Sequence, residues 1–232
     1  MIIAANLKTN LTRSDTTIYV KEVEEFAKTT SQEVLVFPAM TSLDNFDTKK
    51  TVIGAQNAYP TVNGAFTGEI GLEHLEEFGL KTILIGHSER RHILGETQEF
   101  IAAKFDFFKE KGFQIVYCIG EPLEIREAGK SEMMDYLSKQ YEGIDTEYEN
   151  LIIAYEPVWA IGTGLVPTFE DIEDIHTELK KKSSAPLLYG GSVKVNNAKE
   201  ILGTKNVDGI LVGSAALSAK DFCSMIQAAG EL

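Results

Sequence analysis

Eight times along its 232 residues this chain returns to a short run of apolar, largely β-branched residues, and that rhythm restricts its fold more than any other feature. The runs fall at 2–5, 34–37, 52–55, 82–85, 115–119, 151–155, 187–189 and 209–212. Leu151-Ile152-Ile153-Ala154 shows their character: no polar alternation, as in a strand covered on both faces. Between the runs lie amphipathic segments that read as helices, among them 15–28, 97–111, 169–182 and 218–229. Ser14 is expected to cap the first, and Thr168, with Asp171 three residues on, has nearly capping-box spacing for the third. Strands alternating with helices predict a parallel sheet with its helices outside. Eight such repeats in this length favour a closed (β/α)8 barrel of the α/β class over an open doubly wound sheet. No linker, low-complexity tract or shift in composition divides the chain, so residues 1–232 are expected to form a single domain.

The charge balance narrows the partners. A net charge of −13 argues against nucleic acid and anionic membrane surfaces. It also requires that any anionic substrate be attracted locally, against the field of the whole molecule. No stretch reaches the roughly 18 consecutive apolar residues of a membrane span, and Met1-Ile2-Ile3-Ala4-Ala5 has no basic region before it, so no signal peptide is expected. Cys118 and Cys223 form neither a disulfide framework nor a metal-ligand spacing, which fits a reducing cytoplasm. No metal and no cofactor is expected.

Active sites of such barrels gather just beyond the strand ends. After the first run stand Asn6 and Lys8, and after the fourth Gly86-His87-Ser88-Glu89-Arg90-Arg91. The fifth leads to Gly120-Glu121. The sixth leads to Glu156, then to Pro157, which stops a central strand, and to a loop carrying Gly162 and Gly164. A carboxylate beside a glycine-bearing cover is what proton abstraction away from water requires. The seventh and eighth runs end in Gly190-Gly191-Ser192 and Gly213-Ser214, where phosphate-binding barrels hold the phosphate on backbone N–H groups.

Five blocks, in order and spacing, resemble the triosephosphate isomerase family: Asn6-Leu7-Lys8-Thr9-Asn10, Gly64-Ala65-Phe66-Thr67-Gly68-Glu69, Gly86-His87-Ser88-Glu89-Arg90-Arg91, residues 154–164, and Tyr189-Gly190-Gly191-Ser192. The likeness runs from Asn6 to Leu217. It implies a TIM barrel, cytoplasmic and cofactor-free, that interconverts dihydroxyacetone phosphate and D-glyceraldehyde 3-phosphate in glycolysis and gluconeogenesis. On that likeness Glu156 is the base and His87 the electrophile on both enediolate oxygens. Lys8 supplies a fixed positive charge, and Asn6 donates to the oxyanion and helps hold Lys8. The N–H groups of Gly162, Ser192, Gly213 and Ser214 bind phosphate, and the segment 157–168 closes over it. The connection from Gln56 to Glu69, in which Phe66 has no obvious local partner, is long enough to suggest a function, and the resemblance implies that it docks into a neighbouring subunit, giving a homodimer with Thr67 at the partner's site.

Two rival functions are weaker. A phosphate-binding aldolase would need a desolvated lysine in a late strand, and the runs contain none. A non-catalytic binding or structural descendant should have lost at least one of Lys8, His87 and Glu156, and all three are present. His74 and His176 read as surface residues on helices, and His92 as a packing neighbour of the site. Glu89 suits either a role near the centre or an ion pair with Arg90 or Arg91. Cys118 reads as buried support, and Trp159 as a loop anchor donating its N–H to Glu121. The chain departs from the family at Ser214, where a glycine is usual, and at Leu165-Val166-Pro167. Pro167 has no N–H for Tyr189 to accept, so closure is expected to rely on Gly162 and Ser192, and replacing Pro167 by alanine to change kcat.

Overall fold

In the computed structural model, which describes residues 1–161 and 167–232, every apolar run is a strand. They are β1 (Ile2–Asn6), β2 (Glu33–Phe37), β3 (Thr51–Ile53), β4 (Thr82–Ile85), β5 (Gln114–Ile119), β6 (Leu151–Tyr155), β7 (Leu187–Tyr189) and β8 (Gly209–Val212). All pairings are parallel, in the order β3-β2-β1-β8-β7-β6-β5-β4. The two outer strands of that order meet through Ala55, whose N–H donates to Thr82 O at 2.9 Å and whose carbonyl accepts from Leu84 N–H at 2.8 Å, so the sheet closes into a barrel. The third run therefore reaches residue 55 as expected, but its regular part stops at Ile53. Gly54 follows it, and only glycine fits there, because a Cβ on it would lie 2.4 Å from the Phe37 ring.

Side chains alternate across each strand. Ile2, Ala4, Leu35, Phe37, Leu84, Val116, Cys118, Ile152, Ala154, Leu188 and Leu211 fill the barrel interior. Their neighbours point outward and pack beneath the helices. One further step of two along the inward face brings Asn6, Glu156, Gly190 and Gly213 to the mouth. The strand period alone thus places an amide and a carboxylate over the axis and leaves glycine opposite them.

The helices are α1 (Arg13–Ala27), α2 (Leu72–Glu77), α3 (Ser88–His92), α4 (Gln98–Glu110), α5 (Leu123–Glu127), α6 (Lys130–Lys139), α7 (Phe169–Lys180), α8 (Ala198–Leu202) and α9 (Ala219–Gly230). The first is capped by Thr12 rather than Ser14: Leu11 adopts the left-handed conformation, so the chain enters the helix earlier, and Thr12 Oγ1 accepts the Asp15 N–H. Thr168 and Asp171 form the expected reciprocal box at the start of α7. His176 is fully buried, contrary to its surface reading. It shares the apolar face of α7 with Ile172, Ile175 and Leu179, and its ring lies against Tyr155 and Tyr189. His74 and His92 are exposed. No helix among the described residues is long and apolar enough to cross a membrane.

Candidate active site

At the C-terminal mouth of the barrel a cavity of 870 Å³ is lined by Asn6, Lys8, His87, Glu156, Ser192, Gly213 and Ser214, with Lys194 and Asp221 on its rim. Seven of the eight residues singled out in the sequence thus converge there. The eighth, Gly162, lies with residues 163–166 outside the described residues.

Glu156 follows β6 directly and is 2% exposed. Its carboxylate is held at both ends: Oε1 accepts from His87 Nε2 at 3.0 Å, and Oε2 accepts the Ser88 N–H at 3.0 Å. Burial pushes the Glu156 carboxyl up, but His87, the Ser88 N–H and the Lys8 ammonium outweigh it and hold it below its ordinary value. Glu156 is therefore an ionised carboxylate throughout the neutral range. Gly190 makes the space for it, since a Cβ there would lie 2.9 Å from Glu156 Cγ.

His87 caps α3, and its Nδ1 accepts the Glu89 N–H at 3.2 Å. Burial pushes the imidazole pKa down while the Glu156 carboxylate pulls it up, with a net rise above the ordinary value. Because the Nδ1 lone pair is engaged by the Glu89 N–H, we assign the neutral tautomer with its hydrogen on Nε2, donating to Glu156.

Lys8 adopts the left-handed conformation at φ 52°, uncommon for a residue with a side chain. Three contacts fix it there. Its N–H donates to Asn6 Oδ1 at 3.0 Å, its carbonyl accepts from Gln56 Nε2 at 2.8 Å, and its ammonium meets Glu89 Oε1 at 2.6 Å. Strain of this kind, held by surrounding bonds, is usual where a side chain must be aimed. The stem of Lys8 crosses the turn after β8, for a Cβ on Gly213 would lie 3.3 Å from Lys8 Cε.

Glu89 therefore pairs with Lys8, and not with either arginine beside it. Arg90 pairs with Glu96 at 2.6 Å, while Arg91 donates to Gly86 O, Cys118 O and Tyr117 Oη, tying the ends of β4 and β5 together. Cys118 is buried support, as expected. Trp159 donates its indole N–H to Glu121 Oε1 at 2.9 Å, and Tyr155 Oη donates to the same oxygen. Burial pushes the Glu121 carboxyl up. Tyr189 Oη is buried with no partner among the described residues.

Two positioning residues escaped the sequence reading. Gln56 bonds both Lys8 O and Phe37 O and so locks the turn after β1 to β2. Glu96 gathers Arg90 and the 1%-exposed Lys104 behind α3. Both are long polar side chains in polar segments, and neither has a local pattern that marks burial. The segment from Gln56 to Glu69 is exposed from 62 to 69. Phe66 does have a local partner, contrary to expectation: it stacks on Tyr59 at 4.2 Å while staying 42% exposed.

Comparison with known proteins agrees with this arrangement. The sequence matches the family described as triosephosphate isomerase over residues 1–229. Proteins named triosephosphate isomerase are similar to it end to end. That of Sulfurimonas denitrificans is 66% identical over 98% of this chain and 95% of its own length. The Sulfurovum sp. protein is 56% identical over 97% and 99%, and that of Campylobacter jejuni 50% identical over 98% and 100%. A barrel with this mouth, matched over nearly its whole length, belongs to the triosephosphate isomerase family.

Proposed function

We propose that this chain interconverts dihydroxyacetone phosphate and D-glyceraldehyde 3-phosphate through an enediolate, with Glu156 as the base and His87 as the electrophile. The observation that carries the reading is the buried contact between an ionised carboxylate and an imidazole Nε2–H, 3.0 Å apart, at a mouth that also holds Lys8. Moving a proton between adjacent carbons needs a base on the carbon and a donor to the two oxygens. Glu156 cannot bond His87 and Ser88 and also reach a carbon, so it leaves those partners when substrate binds. The upward pull on the imidazole then disappears, while the Glu89 N–H stays on Nδ1. A neutral histidine set at a helix N-terminus is the known arrangement in triosephosphate isomerase, and it is taken over here from that enzyme.

Lys8 neutralises charge developing on the substrate oxygens, and Asn6 donates to the oxyanion while its carbonyl oxygen holds the Lys8 backbone. The phosphate is bound by the N–H groups of Ser192, Gly213 and Ser214, with Gly162 completing the set. The reaction needs no metal and no cofactor. It serves glycolysis and gluconeogenesis in the cytoplasm.

The working unit is a homodimer, with the segment from Gln56 to Glu69 docked on a second copy and Thr67 at that copy's site. Support comes from a second cavity of 650 Å³ on the other side of Lys8, whose lining includes Asn10, Met40, Ile93 and Leu94. Ile93 and Leu94 are 76% and 62% exposed, and Val62 and Phe66 protrude from the segment that would meet them.

The test is conversion of D-glyceraldehyde 3-phosphate by the purified protein, with product reduced by a coupling dehydrogenase and a chelator present throughout. Fast, chelator-insensitive turnover is expected. A protein that binds phosphoglycolate but converts nothing would overturn the reading.

A further inference from the structure

We propose that Lys194 is a steering residue that draws the dianionic substrate into the mouth of this strongly acidic protein. The inference rests on the isomerase reading above and adds to it the origin of the attraction. The molecule carries a net charge of −13, so a phosphate ester approaching it is repelled at long range. The residues that line the cavity at the barrel mouth include two lysines, Lys8 and Lys194, and two acidic residues, Glu156 and Asp221. Lys8 is held in an ion pair with Glu89 at 2.6 Å and is assigned to the reacting oxygens rather than to the rim. Lys194 is exposed, and among the described residues its ammonium has neither an ion pair nor a hydrogen bond. It is the cation of the mouth whose field is not spent on a protein partner.

Its place is fixed by a small turn. The Lys194 N–H donates to Asn197 Oδ1 at 2.7 Å, and Asn197 Nδ2 donates to Ser192 O at 3.1 Å. The backbone of Lys194 is therefore locked two residues beyond Ser192, whose N–H is assigned to the phosphate. The side chain beyond that locked backbone is exposed and has no partner among the described residues. A fixed base with an exposed, unpaired charged end suits capture of an incoming ligand, and the bound phosphate is already served by backbone donors. Asp221, in the first turn of α9, lines the same cavity. Lys194→Ala and Asp221→Asn change the local balance by one charge with opposite sign, and Lys194→Glu changes it by two.

Steering acts within about one Debye length and fades as salt rises. It matters most where catalysis approaches the encounter limit, as this class of isomerase does. The experiment measures kcat and kcat/KM for D-glyceraldehyde 3-phosphate at ionic strengths of about 0.01 M and 0.2 M. It compares the wild-type protein with Lys194→Ala, Lys194→Glu and Asp221→Asn. At low ionic strength kcat/KM is expected to fall about threefold in Lys194→Ala and about tenfold in Lys194→Glu, and to rise about twofold in Asp221→Asn. All four should converge at the higher salt, with kcat within about twofold throughout. Equal kcat/KM for wild type and Lys194→Ala at low salt would overturn the inference. So would a loss that persists at high salt, which marks a direct phosphate ligand, or a matching loss in kcat, which marks a structural role. A wild-type protein without turnover would overturn the isomerase reading itself, so the two failures are distinguishable.

Discussion

His176 shows how a single side chain ties the fold to pH. Its ring is buried between two tyrosines, Nδ1 meets the Asn206 carbonyl at 3.0 Å, and Nε2 has no partner among the described residues. Burial pushes its pKa from 6.5 down to about 4. Between those values the unfolded chain binds a proton that the folded chain refuses, so stability rises with pH across that window. As pH falls the contribution is lost from about 6.5 downward and is gone by about 4, a total of about 3 kcal/mol. Urea midpoints taken from pH 7.5 to 4.5 should show a shallower decline for His176→Gln than for the wild-type chain. Parallel declines would mean that the ring is not held neutral. The surface reading of this histidine failed because a lone His in a helix was judged by its type. Its spacing with Ile172, Ile175 and Leu179 was visible and marks the buried face. Glu89 carries a similar lesson. Residues one and two apart on a helix do not face each other, so Arg90 and Arg91 were poor partners for it, while Lys8, 81 residues away, became its neighbour only when the barrel closed.

Among the elements, α7 begins directly after Pro167 with a cap that is satisfied from both sides. Thr168 Oγ1 accepts the Asp171 N–H at 3.1 Å, and Asp171 in turn is held by Arg126 at 2.7 Å. Thr168→Ala should cost about 1 kcal/mol, a fall in Tm of about 2–4 °C for a chain of this size. A Tm unchanged within 1 °C (roughly 0.3 kcal/mol at this size) would show that the cap contributes nothing there. This box was legible in the sequence because both partners lie within four residues. The strands were legible for the same local reason: runs covered on both faces leave no polar alternation. What could not be read was the join of β3 to β4 through Ala55, since barrel closure is a long-range pairing. The cap of α1 was displaced to Thr12 by the backbone of Leu11, whose left-handed turn nothing in the residue type announces.

At the scale of the molecule, the site lies between two cavities that share Asn6, Lys8 and His87 in their linings. One is assigned to the substrate on the proposed function. The other is bordered by Ile93 and Leu94 and is assigned to the docking segment of a second copy. Ile93→Lys should then give a species of half the mass by sedimentation, with kcat lowered at least tenfold, because Lys8 and His87 lose the wall behind them. A monomeric mass for the wild-type protein would contradict the assignment. The positions of Asn6, His87, Glu156 and the two glycine turns were legible before any coordinates, since strand ends in a barrel share one mouth. The bracing of Lys8 by Gln56 and Glu89 was not, because each partner comes from a different strand-to-helix connection.

The most direct test is kcat for wild type and Glu156→Asp side by side, with phosphoglycolate affinity measured on both. Shortening the base by one methylene keeps its charge but draws the carboxylate about 1 Å back from the substrate carbon. A fall of about a hundredfold or more in kcat with near-normal inhibitor binding is predicted. A variant that keeps more than a tenth of wild-type kcat would contradict the assignment of Glu156 as the base.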